Sequence, residues 1–270
     1  MKNVALVYMV AGISSRFGGK IKQFTQIGKN NEPLIELSLK QALKTPFSKI
    51  IFVVGNLTEK PFKEKFGSSF LGVPILYAYQ FYDPRLRDRP WGTGEALCAA
   101  REFLDCPFII CNGDDLYGDK TFAALFKHLQ ESDEEATIGY HLIDILPEAG
   151  GVNRGAFESK NNHVTKITET FNISRENLQG LSPETLCSQN IFAFHPQVID
   201  ILDNELAKFK LDHSSDRKIE FFLPNEISKL ITQEKIKMKI YPSQDIWLGV
   251  THPEDESFVK SEFTRIYGEI

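Results

Sequence analysis

"VALVYMVAGISSRFGGKIKQF", residues 4–24, joins an apolar run to a loop crowded with glycines, hydroxyls and cations. The run "VALVYMV" is apolar at every position, so both of its faces need cover, as in a central strand of a parallel sheet. The loop then offers Gly12, Gly18 and Gly19, which let backbone come close to a ligand. Ser14 and Ser15 add hydroxyl and N–H donors, and Arg16, Lys20 and Lys22 add charge. An arginine meets phosphate oxygens as a fork, a lysine as a point charge. The pattern suits a polyphosphate cradle at a strand end; a tight turn with surface cations uses the same residue types. Two other phosphate motifs are excluded. No Ser or Thr follows Lys20, as GxxxxGK[ST] requires, and "GISSRF" is not GxGxxG.

Outward from this stretch, strand and helix patterns alternate. "KIIFVVGN", "VPILYAY" and "PFIICNGDD" read as buried strands, and "LIELSLKQAL", "LTEKPFKEKF", "GEALCAAREFL" and "KTFAALFKHLQ" as helices. This order predicts an α/β fold with a mostly parallel mixed sheet and helices on both faces, a three-layer Rossmann-like α/β/α arrangement. Ligands of such sheets bind beyond the carboxyl ends of the strands. In the second half, "GAFESKNNHVTKITET" reads as a hairpin and "LCSQNIFAF" as a strand. Helices are expected near 196–208 and 219–231, strands near 236–241 and 246–250, and irregular loops at 80–92 and 146–155. One domain over 1–270 is expected, with a nucleotide-type half (about 1–145) and a substrate-covering half with a C-terminal helix (about 146–270).

Composition narrows the class. The net charge of −5 gives no basic excess for a nucleic-acid backbone. No apolar run approaches the roughly 20 residues of a membrane helix. The apolar run after Lys2 passes into a patterned loop rather than a cleavage site, so a strand is expected there and not a signal peptide. Cys98, Cys106, Cys111 and Cys187 form no CxxC pair and read as buried reduced thiols. The expected location is the cytoplasm.

Two further clusters follow strands. "CNGDDLYG" ends a buried strand on Asp114 and Asp115. Neighbouring strand residues point to opposite sides, so one of the two is expected to face the site. A carboxylate with phosphate oxygens is how proteins hold Mg²⁺. "PWGTGEAL" sets Gly92 and Gly94 around Thr93 at the start of a helix. Free N–H groups there favour an anion or a polar base edge, and a helix capped by Thr93 fits equally.

"AGISSRFGG..KQF", "WGTGEAL" and "NGDDLYG", in this order and each at a strand end, resemble the sugar-phosphate nucleotidylyltransferase family. "SQNIFAFHP" and "DIWLGVTHPED" extend the resemblance over nearly the whole chain. It implies the nucleotide-diphospho-sugar transferase fold. It also implies transfer of a nucleoside monophosphate from a nucleoside triphosphate, UTP favoured, to a sugar 1-phosphate, with release of pyrophosphate. By resemblance, Ala11, Gly12, Ser14 and Ser15 line the nucleotide loop, and Arg16 and Lys22 hold the triphosphate. Gln80, Gly92 and Thr93 read the base, and Asp114 holds Mg²⁺. Gly155, Glu169 and Asn190 contact the sugar, the last aligning ambiguously with Ser188. No nucleic-acid or membrane partner is implied, and a homo-oligomer stays open.

The chain departs from the family pattern at three places. Ser14 replaces a glycine, the family's sugar-side Asn aligns with either Ser188 or Asn190, and Gly249 stands where the family often has a second metal carboxylate. Asp245, just before, is a conceivable substitute. At about 3.3 Å per residue it lies well over ~10 Å along an extended strand, so water and substrate phosphates are the preferred remaining ligands. These departures leave two other classes open: a weakly catalytic nucleotide-sugar-binding regulator, and a cytidylyltransferase of an alcohol phosphate such as phosphocholine.

Overall fold

The computed structural model describes residues 1–12, 18, 20–148, 150–250 and 255–268. Strand β1 (Ala5–Met9) lies near the middle of a sheet, in parallel register with β2 (Lys49–Val54) and β5 (Phe108–Asn112). Its side chains alternate between two cores. Leu6 and Tyr8 enter one, with residues of helices α1 (Leu34–Ala42), α2 (Glu59–Phe66) and α4 (Asp119–Glu131). Ala5, Val7 and Met9 enter the other, with α3 (Thr93–Ala99), α5 (Gln197–Asp212) and α6 (Leu223–Thr232). Cover on both faces is the physical reason that the run is apolar throughout. Phe52 of β2 touches the rings of Tyr8, Phe62, Phe66 and Tyr77. Truncating a core ring of this kind costs about 3–5 kcal/mol.

The remaining strands are β3 (Ser69–Phe70), β4 (Val73–Tyr79), β7 (Glu135–His141), β8 (Val152–Lys160), β9 (His163–Ile173), β10 (Leu186–Phe194) and β11 (Met238–Pro242). The sheet order is β3-β4-β2-β1-β5-β10-β7-β11-β9-β8. The expected parallel pairing holds for β4-β2-β1-β5 and for β7-β11. It fails at β10, which runs antiparallel to both β5 and β7, while β8-β9 is the antiparallel hairpin expected there. The sheet is therefore mixed, with parallel pairing concentrated in the first half. Two short strands, β6 (Asp115–Leu116) and β12 (Leu248–Gly249), pair separately, and α7 (Asp255–Tyr267) packs Val259 and Phe263 beside them.

Other expectations are corrected in detail. β7, which the alternation above leaves out, is a core strand, and the loop expected over 146–155 gives way to β8 at Val152. Residues 80–92 contain neither helix nor strand, as expected. Cys98, Cys111 and Cys187 are buried and Cys106 is half-buried, all as free thiols. No helix among the described residues is long and apolar enough to cross a membrane.

Candidate active site

The first loop leaves β1 through buried Ala11 and exposed Gly12, where an added Cβ would meet open space. Ser14, Ser15 and Arg16 lie outside the described residues. The chain then makes a short 3-10 turn over Lys22–Phe24. Ile21 and Phe24 anchor this turn on the core, and Phe24 stacks on Phe62 at 4.8 Å. Between these anchors Lys22 Nζ donates to Asp114 Oδ2 at 2.6 Å. Asp114 lies in a turn after β5, and the two side chains are only 15% and 24% exposed. The pair thus sits beyond the carboxyl ends of two adjoining parallel strands, where ligands of open α/β sheets bind.

Asp115 takes the other direction. It is 6% exposed, and its Oδ2 accepts from Asn112 Nδ2 at 2.9 Å and Tyr117 Oη at 3.1 Å. Burial, with Asp114 beside it, pushes its carboxyl up to about 7 against the pull of Lys22. Gln189 O lies 2.8 Å from Tyr117 Oη and shares its single proton with Asp115, so one phenol ties the acidic turn to β10. The sequence reading passed over Tyr117; its place two residues after a carboxylate was the only signal.

Gly249 lies opposite Asp115 across the β6–β12 bridge. A Cβ there would overlap the Trp247 ring and come within 2.6 Å of Asp115 Oδ1, so this backbone has no room for the carboxylate common in the family. Asp245 is occupied elsewhere. Its Oδ2 accepts from Thr121 N at 2.8 Å, in the first turn of α4. Among the described residues no three His, Cys, Asp or Glu side chains cluster as metal ligands. Asp114 alone, a part-exposed hard oxygen donor, suits Mg²⁺, which takes one or two protein carboxylates together with substrate phosphates.

The second cluster is more closed than its glycines suggest. Gln80 is 7% exposed, and its Nε2 donates to Gly92 O at 3.0 Å and Glu95 Oε2 at 3.2 Å. Gly92 has a φ of 103°, where a side chain is strained. The N–H of Gly94, expected to be free, donates to Phe221 O at 2.9 Å. A Cβ on Gly94 would overlap the Phe221 ring, so this glycine serves close packing against that segment. Thr93 caps a helix, though not its own: its Oγ1 accepts from Leu223 N, at the start of α6, at 3.0 Å. Glu95 binds Lys210 Nζ of α5 at 2.6 Å, and buried Arg87 stacks on Trp91 at 3.4 Å. These links between distant segments were not readable locally.

On the other side, Gly155 of β8 pairs with Glu169 of β9 and with Ser188 of β10. A Cβ on Gly155 would lie 3.6 Å from both Glu169 Oε2 and Ser188 Cβ. Glu169 is exposed as a residue, yet the protein around its carboxyl holds it above the ordinary value, against the pull of Arg154. Asn190 has a φ of 56° and marks an irregularity in β10, where its N–H is bonded by Ser188 Oγ at 3.1 Å. The structure therefore brings Gly155, Glu169 and Ser188 together, with Asn190 two residues along the same strand.

The cation–carboxylate pair thus stands at the carboxyl edge of the parallel strands, the ligand-binding edge of such sheets. The sequence matches the family model for nucleotidyl transferases over residues 18–250, and the chain belongs to that family. It is an enzyme of the nucleotidyltransferase class, as the motifs imply. A comparison with curated proteins finds no match. Among solved structures, the UTP-bound UGPase from Acinetobacter baumannii is 16% identical, with a TM-score of 0.65, covering 97% of this chain and 93% of its own. The inositol-1-phosphate CTP transferase from T. maritima is 14% identical, with a TM-score of 0.65 and cover of 100% and 98%. A UDP-glucose pyrophosphorylase complexed with UDP-glucose is 13% identical, with a TM-score of 0.66 and cover of 98% and 99%. At these identities the likeness is one of fold.

Proposed function

We propose that this nucleotidyltransferase moves a nucleoside monophosphate from a triphosphate, UTP favoured, to a sugar 1-phosphate and releases pyrophosphate. The observation that carries this is the Lys22–Asp114 pair at the carboxyl edge of β1 and β5. In this reading the acceptor's phosphate oxygen attacks the α-phosphorus directly, and no protein nucleophile is needed. Lys22 neutralises charge that grows on the α-phosphate, as Arg16 does from the preceding loop. Asp114 would hold Mg²⁺, which supplies charge neutralisation to the phosphates when bound. Ala11, Gly12, Ser14 and Ser15 form the nucleotide loop, and Gln80, Gly92 and Thr93 the base side. Gly155, Glu169 and Asn190 receive the sugar.

The same reading takes residues 1–270 as one three-layer Rossmann-like domain, nucleotide-binding up to about residue 145 and sugar-binding beyond it, working in the cytoplasm. Pyrophosphate release is the test, with UTP, CTP, dTTP and GTP each paired with a panel of sugar 1-phosphates and of alcohol phosphates such as phosphocholine. Release with at least one pair supports the reading. Release only with alcohol phosphates and CTP replaces it. Gly249 favours one second reading, a nucleotide-sugar-binding regulator, which gains ground if nucleotide-sugar binds and no pair releases pyrophosphate.

A further inference from the structure

We propose that Arg154 reads an anionic oxygen of the acceptor and so helps to decide which sugar phosphates bind. This rests on the acceptor reading given above. Arg154 directly precedes Gly155 on β8. Its guanidinium faces the Trp247 ring, 5.4 Å from the ring centroid. Nη1 donates to Asn153 O at 3.0 Å and Nη2 to Ile145 O at 3.1 Å. Both partners are neutral carbonyls, and neither cancels the charge. Asp115 and Glu169 act on it only through space, and burial lowers its pKa.

Among the described residues, two buried donors in this wall have no acceptor: Nε of Arg154 and Nε1 of Trp247. Buried donors are nearly always bonded in folded proteins, so an unbonded pair beside a cation bonded only to carbonyls needs an explanation. Pinning the 145–153 segment uses only the Nη atoms. It leaves Nε, Trp247 Nε1 and the charge itself without a role. An acceptor-rich anion accounts for all three. Trp247 also ties this wall to the acidic turn, because its ring and Asp115 Oδ1 meet over Gly249. Arg154 thus lies beside the sugar-side Gly155 and within electrostatic reach of Asp115, which also feels Lys22.

The anionic oxygen belongs either to the 1-phosphate or to a second acidic group on the sugar, and binding measurements separate the two. Glucose 1-phosphate and glucuronic acid 1-phosphate are titrated calorimetrically into the full chain and into Arg154→Gln and Arg154→Lys. Loss of a hydrogen bond to a charged group predicts an acceptor Kd about tenfold or more weaker in Arg154→Gln, with UTP affinity unchanged and partial recovery in Arg154→Lys. An equal loss for both probes assigns the 1-phosphate. A larger loss for glucuronic acid 1-phosphate assigns the second acid. Acceptor Kd within twofold of wild type in Arg154→Gln overturns the proposal. Should that variant melt early, Arg154→Lys decides: its acceptor Kd should weaken at least threefold at unchanged melting temperature, and a change under twofold overturns the proposal. If wild type releases pyrophosphate with a sugar 1-phosphate and Arg154 proves indifferent, only this inference falls. If no sugar 1-phosphate supports release, the acceptor reading falls, and this proposal with it.

Discussion

Asp245 accepts a hydrogen bond from the backbone N–H of Thr121 at 2.8 Å, and so caps a helix to which it does not belong. The N-cap residue of α4 is Gly118, which has no side chain to do this. A Cβ on Gly118 would overlap the Asp245 carboxylate, so the two positions suit each other. Losing an N-cap oxygen costs about 0.5–2 kcal/mol. Asp245→Ala should therefore lower stability by about 1 kcal/mol in urea titration. The Mg²⁺ concentration for half-maximal rate should stay within threefold of wild type. A tenfold rise, with the fold intact, would make Asp245 a metal ligand after all.

Lys22 sits between the core anchors Ile21 and Phe24, with its own side chain largely buried against Asp114. Lys22→Ala should fold normally and lose about a hundredfold to a thousandfold in kcat, the usual cost of removing one charge-stabilising donor. Steady-state pyrophosphate release, together with circular dichroism, checks both halves of this statement. Turnover within threefold of wild type would remove Lys22 from the chemistry.

Gly249 invites the opposite experiment, putting back the missing carboxylate. Gly249→Asp should not lower the Mg²⁺ requirement. Its Cβ has to displace the Trp247 ring, and its charge would face Asp115. Overpacking of this kind costs about 1–3 kcal/mol, which a thermal melt would register. A lower Mg²⁺ requirement at unchanged stability would show that the site accepts a second ligand.

Glu135 offers a stability test far from the phosphates. It is 6% exposed and accepts from His195 N at 2.8 Å. Burial raises its pKa above 4.5, with His195 acting the other way. The folded chain keeps this proton where the unfolded chain has released it. Its contribution is therefore whole below pH 4.5 and declines as pH rises through the folded value. Glu135→Gln should remove that decline. Urea midpoints at acid and neutral pH should then show wild type losing more stability than the variant as pH rises. Equal losses would contradict the raised value.

The apolar run of β1 was readable because both of its faces are covered, and the same holds for β2 and β5. Lys22 and Asp114 were each readable as strand-end groups; that they pair follows from the parallel register, which brings the ends of β1 and β5 together. β7 was not, because "EATIGYH" interrupts its apolar residues with Gly and Thr, and its burial comes from β10 and β11. The place of β10 between β5 and β7 is a long-range choice that no local period encodes. The helix start at Gly94 looked open because its true neighbour, Phe221, lies more than a hundred residues away. Arg154 falls in no motif and Trp247 in a segment read only for Gly249; what sets them apart is an unbonded buried donor on each, Nε and Nε1.

The position of β10 also governs how this gene could be cut. A fragment ending near residue 145 would retain β5 and β7 but lose the strand hydrogen-bonded to each of them. Two long apolar edges would then lie open, and open edges recruit other chains. Such a fragment should come out of cells as aggregate, whatever nucleotide it could bind, and a soluble half-enzyme would have to carry residues 186–194 with it.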